Sequence, residues 1–328
     1  MSYYLGLDIG YSNLKIVMGE AGGKAKELLL PGAAGPLEKM SSRLMSNESD
    51  TVIKVSVDGK DWVAGVQANQ LEGWERVLDE DFPWTDNYKA LYYAALLKTG
   101  REKIDRVVTG LPVDQHVNVE RREKLAERLK GKHMVAPNKW VEVADVKIVP
   151  QPIGALMHQI SVSDEEQMEI IEEGHVVVMD PGYFSFDWVA VVGWAFRKES
   201  SGTSQRAMSR ILEEASRLVE EDHGPGSCAM HKLENAIRDK RSTILVYGER
   251  IPYQAYFDQA VANVAPQAMA SLRQAMREED QGADIIILTG GGGLAFKEAA
   301  ESIFPRSKIL VPENPVMANA KGFWFHAH

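Results

Sequence analysis

The stretch Leu5-Gly6-Leu7-Asp8-Ile9-Gly10-Tyr11-Ser12-Asn13-Leu14-Lys15-Ile16-Val17 sets a short polar turn between two apolar runs. Apolar runs on both sides of a tight, glycine-bearing turn predict a β-hairpin, whereas the common Walker-type phosphate loop joins a strand to a helix. Asp8 lies near the end of the first run, and Gly10 lies in the turn. The stretch therefore predicts two paired strands with an acidic residue beside their turn.

A second stretch, HVVVMDPGYFSFDWVAVV at residues 175–192, repeats this arrangement later in the chain. Asp180 ends its first apolar run, and Gly182 follows in the turn. A single turn of this kind is an ordinary hairpin connection. Two turns with the same acid and glycine predict the two halves of one nucleotide-binding site.

The residue types in the two turns suit phosphate groups and a divalent cation. Glycine lets backbone N–H groups approach phosphate oxygens because it has no Cβ atom. The side chains that can add hydrogen bonds or positive charge are those of Ser12, Asn13, Lys15 and Ser185. The carboxylates of Asp8 and Asp180 cannot contact phosphate favourably, so they predict a metal site for Mg²⁺ with its water shell.

A glycine run near the end of the chain adds a third element. The strand-like run Ala283-Asp284-Ile285-Ile286-Ile287-Leu288 leads to Thr289 and then to Gly290, Gly291, Gly292 and Gly293, before a helical pattern over 294–303. Four successive glycines are costly in conformational entropy, and a strand-to-helix turn needs only one or two. We therefore expect a flat adenosine to lie against the bare backbone of this run.

Two hairpins followed by a glycine-rich turn, in this order, resemble the superfamily of actin, sugar kinases and heat-shock-chaperone ATPases. Two further segments resemble the interdomain connections of that family, at residues 149–156 and 314–323. Small residues in both segments predict helices that cross closely. The resemblance implies an α/β, actin-like (ribonuclease H-like) fold with two similar domains around a nucleotide cleft.

The domain organisation expected from this resemblance has three parts. Domain I takes residues 1–150 plus 320–328, and domain II takes residues 151–319. A small subdomain is expected as an insert in domain I at about residues 31–86, where short strands and acidic residues precede an aromatic cluster. Trp74 and Trp84 in this insert are candidates either for its core or for an exposed contact surface.

Composition narrows the choice among family members and partners. The 328 residues are 45% hydrophobic and 26% charged, which fits a globular chain of two domains without the peptide-binding domain of the chaperones. A net charge of −10 argues against direct nucleic-acid binding. The single Cys228 excludes an internal disulfide. Since the sequence has neither a membrane-length apolar stretch nor a signal-peptide pattern, we expect a cytoplasmic protein without direct membrane contact.

Within the superfamily, the chain most resembles actin-like ATPases of the ParM or StbA type, which segregate plasmids. The resemblance rests on compact length, on Gly110-Leu111-Pro112-Val113 and on the Asp180-Pro181-Gly182 form of the second turn. It implies a homopolymer filament that moves DNA through a small basic DNA-binding adaptor bound to the plasmid centromere. Ser185 stands where many relatives have Thr, which keeps the hydroxyl.

The mechanism implied by the resemblance is a slow ATPase that times filament assembly and disassembly. ATP or ADP, with GTP also possible, would bind together with Mg²⁺. The implied phosphate-binding backbone is that of Gly10, Tyr11, Ser12, Asn13, Gly182, Tyr183, Phe184 and Ser185. Gln151, with Asp180 acting through a metal-bound water, would place the attacking water. Gln151 stands where some relatives have Glu, and an amide cannot take a proton, so slow hydrolysis is expected. Gly202 and Thr203 are expected to form a turn near the nucleotide.

Three other interpretations stay open at this stage. A small-molecule kinase of the same superfamily would need a substrate base, for which Asp114 is the best candidate and a helix cap the alternative. An activator ATPase would hold an iron–sulfur cluster through cysteines, for which Cys228 alone is insufficient except as a bridge between two copies. An actin-like scaffold of the MreB or MamK type would need an amphipathic membrane-binding segment, which the sequence does not show. Archaeal actin-like proteins are not distinguished from the plasmid type.

Overall fold

The computed structural model describes residues 2–41, 52–76, 78–276 and 282–328. The chain forms two compact units. Unit 1 comprises Met1–Glu169 and Pro312–His328, and unit 2 comprises Ile170–Val311. In the part of the chain that the structure describes, no helix has the length and apolar character needed to span a membrane.

The strands and helices have the following bounds. The strands of unit 1 are β1 (Tyr3–Ile9), β2 (Asn13–Glu20), β3 (Lys26–Pro31), β4 (Ala33–Pro36), β5 (Ile53–Val57), β6 (Lys60–Val66), β7 (Lys103–Ile104), β8 (Arg106–Leu111), β9 (Gly131–Ala136), β10 (Lys139–Val143) and β11 (Val146–Pro150). The strands of unit 2 are β12 (His175–Pro181), β13 (Phe186–Val192), β14 (Ala195–Ser204), β15 (Thr243–Val246), β16 (Glu249–Pro252), β17 (Ile285–Leu288) and β18 (Lys308–Leu310). The α-helices are α1 (Asp86–Thr99), α2 (Val113–His116), α3 (Val119–Leu129), α4 (Gln151–Val162), α5 (Glu165–Glu173), α6 (Met208–His223), α7 (Met230–Arg238), α8 (Gln254–Ala275), α9 (Lys297–Ile303) and α10 (Ala318–His326).

Each unit contains a five-stranded sheet, and the two sheets have the same plan. In unit 1 the order is β3-β2-β1-β8-β11, and in unit 2 it is β14-β13-β12-β17-β18. The first three strands of each sheet pair antiparallel, and the last two add in parallel. Both predicted hairpins are therefore confirmed, and they occupy equivalent places in two similar α/β units.

The insert of unit 1 contains a small antiparallel sheet with strand order β4-β6-β5. Residues 42–51 and 77 of the expected insert lie outside the described residues. Trp74 and Trp84, the two candidate tryptophans, both contribute to packing. The Trp74 indole donates to the Ala34 carbonyl at 2.9 Å and packs on the small core of the insert, while Trp84 packs on the main core of unit 1.

Helix α1 packs against the main sheet of unit 1 and against the small sheet of the insert, and it is buried along most of its length. Its buried residues include Leu91, Tyr92, Ala95 and Leu96, which recur at helical spacing. Thr85 caps the helix by accepting from the Tyr88 backbone N–H, and Gly100 ends it in a left-handed conformation. This helix and the alternating apolar residues of β1 and β2 form the main core of unit 1.

Helices α4 and α10 cross at a backbone-to-backbone contact within unit 1. A Cβ atom at Gly322 would lie 1.6 Å from the carbonyl oxygen of Gly154, and one at Gly154 would lie 2.6 Å from that of Asn319. The expected close crossing of small-residue helices is thus observed. Because α4 packs on α10, it belongs to unit 1, so the observed division at 169/170 and 311/312 differs from the boundary expected at residue 150.

We expect Gly322→Ala to destabilise the protein by about 3 kcal/mol or more, since the added methyl group must displace the backbone of α4. The measurement is thermal and urea unfolding followed by circular dichroism. Gly282→Ala is the matched control, because a Cβ at Gly282 would meet no atom of the described residues within 4 Å. Equal stability of the two variants would contradict the tight crossing.

Candidate functional site

The first turn, residues 10–13, is closed by backbone contacts. The Gly10 N–H donates to the Asn13 carbonyl at 3.0 Å, and the Gly32 N–H donates to the Ser12 carbonyl at 2.8 Å. A Cβ atom at Gly32 would lie 2.8 Å from the Ser12 carbonyl carbon, so the chain after β3 presses directly on the turn. The contacts between Gly32 and Ser12 therefore restrict the conformation of the turn.

Asp8, Lys15 and Gln151 lie together beside this turn. Asp8 and Lys15 are directly opposite in the β1–β2 register, and the Lys15 ammonium lies 2.7 Å from an Asp8 carboxylate oxygen. Asp8 is only 2% exposed, and a buried carboxylate needs such a partner. The Gln151 amide nitrogen, at the start of α4, is 3.5 Å from the other Asp8 oxygen. Three residues predicted from separate parts of the sequence therefore meet in unit 1.

The second turn, residues 182–185, is closed in the same way and also caps a helix. The Gly182 N–H donates to the Ser185 carbonyl at 2.8 Å. The Gly182 and Tyr183 carbonyls accept from the backbone N–H groups of Met208 and Ser209 at 3.2 and 2.8 Å. The first N–H groups of a helix have no partner within the helix, so the turn supplies carbonyl acceptors at the start of α6.

The Ser185 hydroxyl is engaged by a neighbouring acid. It donates to Asp187 at 2.6 Å, and the Thr203 hydroxyl donates to the other oxygen of the same carboxylate at 2.5 Å. Asp187 is buried and stands opposite Asp180 in the β12–β13 register. The Ser185 side chain therefore stabilises a buried carboxylate, and the group that it can offer to a phosphate is its backbone N–H.

The expected turn at Gly202 and Thr203 is wrong, because both residues lie within β14. Gly202 pairs with Trp188, and a Cβ atom there would lie 2.9 Å from the Trp188 ring. Packing against the indole is thus sufficient reason for this glycine. Its use as a nucleotide contact remains only a prediction.

The glycine run after β17 is tightly packed at three of its four positions, two of them against the second hairpin. A Cβ atom at Gly290, where φ is +74°, would lie 2.2 Å from an Asp180 carboxylate oxygen. At Gly292 it would lie 2.8 Å from the Pro181 carbonyl oxygen, and at Gly293 it would lie 2.8 Å from that of Thr289. These close approaches require glycine whether or not a nucleotide binds.

Gly291 differs from its neighbours, because a Cβ atom there would meet nothing within 4 Å. Leu294, three residues later, is 69% exposed. Helix α9 begins at Lys297 rather than at residue 294 as expected. Gly291 and Leu294 are therefore both accessible, and sequence patterns missed Leu294 because they assigned it to the helix.

The side chains present fit a nucleotide with Mg²⁺. Mg²⁺ is usually held by one or two carboxylates, several waters and substrate phosphates rather than by a full protein cage. Asp8 and Asp180 each supply one carboxylate at the end of a central strand. Each turn presents glycine backbone beside that acid, and Lys15 adds a positive charge in unit 1.

Residues required by the competing interpretations have ordinary surroundings. Asp114 is exposed and lies in the first turn of the short helix α2, as a capping acid would. Cys228 is buried at 3% exposure, and burial raises the pKa of its thiol. A buried thiol cannot bridge a cluster between two copies without a change of structure.

A polar groove of about 580 Å³ between α6 and α8 lies elsewhere in unit 2. Two of its three arginines have acidic partners within the groove, since Arg217 is paired with Glu214 at 2.8 Å and Arg210 with Glu213 at 2.6 Å. The third, Arg206, donates to the Gln267 amide oxygen at 3.1 Å, so the polar side chains of the groove already bind one another.

A family model described as the N-terminal domain of actin-like proteins matches residues 6–154. A second model, described as the C-terminal part of an archaeal, MreB-like actin homologue, matches residues 178–302. No curated protein matches the chain.

Solved structures of actin homologues share the whole fold. Ta0583, an archaeal actin homologue, superposes with a TM-score of 0.76 at 19% identity, covering 99% of this chain and 98% of that one. A pCBH ParM non-polymerisable quadruple mutant gives 0.74 at 19% identity, covering 99% and 98%. A 15-stranded ParM filament from Clostridium botulinum gives 0.74 at 18% identity, covering 99% of both chains. Actin-like family models thus match part of each unit, at residues 6–154 and 178–302, and the chain has the actin-like two-domain fold.

Proposed function

We propose that this protein binds ATP with Mg²⁺, assembles into filaments with copies of itself and hydrolyses the ATP slowly. One observation carries the proposal. Each of the two equivalent sheets ends its central hairpin in a turn with an acid and a glycine, at β1 and at β12. A fold needs no such repetition for stability alone, whereas a nucleotide with several phosphates has a use for both turns.

The backbones of residues 10–13 and 182–185 are proposed to surround the phosphates. The Gly10 and Gly182 N–H groups close the turns, so the proposed donors are the N–H groups of residues 11–13 and 183–185, with the Lys15 ammonium beside the first turn. The proposed nucleobase surface is the open backbone at Gly291 with the exposed Leu294 side chain. One solved relative, the archaeal homologue Ta0583, is described as a complex with ADP. This structural similarity supports the proposal that this chain binds a nucleotide.

The proposed hydrolytic residue is Gln151. Its amide lies at the N-terminus of α4, 3.5 Å from the buried Asp8 carboxylate, and it can orient a water molecule by hydrogen bonds. Since an amide cannot accept the proton of that water, hydrolysis is proposed to be slow. The carboxylates of Asp8 in unit 1 and of Asp180 in unit 2 are each proposed as a ligand of Mg²⁺, which would neutralise phosphate charge.

Filament formation is proposed from the relatives, which include the ParM filament already described and an Alp12 filament. A filament needs a head-to-tail contact that does not close into a ring. The bound nucleotide is proposed to favour the assembling state, and hydrolysis is proposed to weaken it.

The proposed role of the filament is plasmid segregation in the cytoplasm, through a small basic DNA-binding adaptor on the plasmid centromere. The net charge of −10 supports an adaptor, because a protein with this charge is poorly suited to bind DNA directly. The acidic surface would instead attract a basic partner.

The experiment that tests this function follows right-angle light scattering against protein concentration with Mg²⁺ and ATP, ADP or GTP. We expect scattering to rise with a triphosphate above a critical concentration, and negative-stain microscopy to show filaments. A flat trace from protein that binds ATP would exclude the filament and leave a nucleotide-binding protein. Absence of ATP binding would exclude the proposal as a whole.

We expect Gly291→Val to weaken ATP binding about tenfold or more while leaving the melting temperature unchanged. The new side chain has room in the folded protein but occupies the surface proposed for the nucleobase. Fluorescence titration with a labelled ATP analogue measures the affinity. The matched control is Gly282→Val, at a second open glycine of unit 2. If both variants bind ATP as the parent does, the nucleobase lies elsewhere.

We expect Gln151→Met to slow ATP hydrolysis on the order of 10²-fold with little change in ATP affinity, because it removes the amide that orients water. The Gln151 Cγ packs closely on Gly110, since a Cβ atom at Gly110 would lie only 2.7 Å from it. Methionine also has an unbranched Cγ and therefore keeps this packing. Phosphate release measures hydrolysis, and the titration above measures affinity. An unchanged rate would remove Gln151 from the mechanism.

A further inference from the structure

The side chain of Tyr11, in the middle of the first turn, is held by a segment far away in the sequence. Its ring stacks on Phe82 with a centroid distance of 4.6 Å and an interplanar angle of 27°. Its hydroxyl donates to the Asp79 carbonyl at 2.6 Å. The backbone of Tyr11 belongs to the turn proposed for phosphate, whereas its side chain contacts the segment before α1.

We call that segment, residues 79–85, the pre-helix segment. It forms a tight turn in which the Asp79 carbonyl also accepts from the Phe82 N–H at 3.1 Å. The N–H groups of Trp84 and Thr85 donate to Asp81 and Phe82 at 2.8 and 3.1 Å. One carbonyl, that of Asp79, thus joins the fold of the pre-helix segment to the first turn.

The far side of the pre-helix segment is fixed to the core of unit 1. Phe82 is 5% exposed and meets the ring of Tyr88 edge-on, with a centroid distance of 5.5 Å. Tyr88 is buried in α1, and burial raises the pKa of its phenol well above the usual range, so it stays neutral. An Arg121 guanidinium contacts the outer side of the segment at Asp81, at 3.0 Å.

The contact between Tyr11 and the pre-helix segment has a buried part and a solvent-exposed part. Phe82 is part of the core, but the Asp79 carbonyl and Tyr11 hydroxyl lie where solvent reaches them. Water can replace a hydrogen bond at such a place. The bond is therefore able to break or form without unfolding the core.

We propose that Tyr11 is a positioning residue that couples the first turn to the pre-helix segment, so that nucleotide binding at the turn orders the segment. The inference rests on the proposed nucleotide binding. By linkage, whatever orders residues 79–85 also strengthens nucleotide binding by the same factor. The role of Tyr11 is played by its ring and hydroxyl, and the phosphate is left to the backbone.

The test uses the full chain and the variants Tyr11→Ala and Tyr11→Phe. The first removes the stacking and the hydrogen bond, and the second removes only the hydrogen bond and keeps the ring. Tyr247→Phe is the matched control, since it removes a similar bond from a tyrosine hydroxyl to the Pro225 carbonyl in unit 2. Labelled ATP measures affinity, and hydrogen exchange with mass spectrometry measures protection of residues 79–85 with and without saturating ATP.

We expect ATP to slow exchange of the pre-helix segment about tenfold in the parent and to have no effect on it in Tyr11→Ala, even at saturation. Affinity should fall about tenfold in Tyr11→Ala and about threefold in Tyr11→Phe. Tyr247→Phe should behave as the parent. A merely structural tyrosine would lower stability without removing the ATP-dependent protection.

The outcomes separate this inference from the proposed function. If the parent binds ATP and the segment shows the same exchange with and without it, the coupling is wrong and nucleotide binding stands. If Tyr11→Ala keeps the protection of the parent, Tyr11 is not the link. If the parent binds no ATP, the proposed function fails and the coupling fails with it. Should Tyr11→Ala not fold, the ring-preserving Tyr11→Phe decides the same questions.

Discussion

The backbone contact between Gly154 and Gly322 is the constraint on which the arrangement of unit 1 depends. No side chain fits between α4 and α10 at that point. Two further glycines allow α10 to pack close to the main sheet. A Cβ at Gly6 would lie 2.3 Å from the Ala320 carbonyl oxygen, and one at Gly110 would lie 2.8 Å from the Phe323 ring. Helix α4 begins at Gln151, beside Asp8. The packing of α4 on α10 therefore determines where the Gln151 amide lies.

The two strand-end acids are stabilised by different means. Asp8 has a cationic partner directly across its hairpin, whereas Asp180 faces another carboxylate, Asp187, across its own. Asp187 is accommodated because two hydroxyl groups donate to it. The Asp8 carboxylate in unit 1 is therefore stabilised by an ion pair, whereas the Asp187 carboxylate in unit 2 is stabilised by hydrogen bonds from hydroxyl groups, although the strand topology is the same.

Local patterns predicted the local structure, and contacts distant in sequence escaped them. The two hairpins followed from apolar runs and turn residues, which act between near neighbours. The packing that requires glycine at three positions after β17 could not be predicted in this way, because the close partners of these glycines are in the second hairpin and at the end of the preceding strand. Gly202 was misplaced for the same reason, since its partner is Trp188 on the adjacent strand. The contact of Tyr11 with Phe82 joins two segments that are far apart in the sequence, and no local pattern in either segment predicts it.

The placement of α10 also bears on the order in which the chain folds during synthesis. The core between α10 and the main sheet of unit 1 contains Val108, Val149 and Phe323, so it stays incomplete until residues near 323 have left the ribosome. Unit 2 is a continuous segment, residues 170–311, and has its own core. It can therefore be complete while unit 1 still exposes one face of its sheet. Nascent unit 1 would need protection from aggregation during that interval, and the final helix would end it.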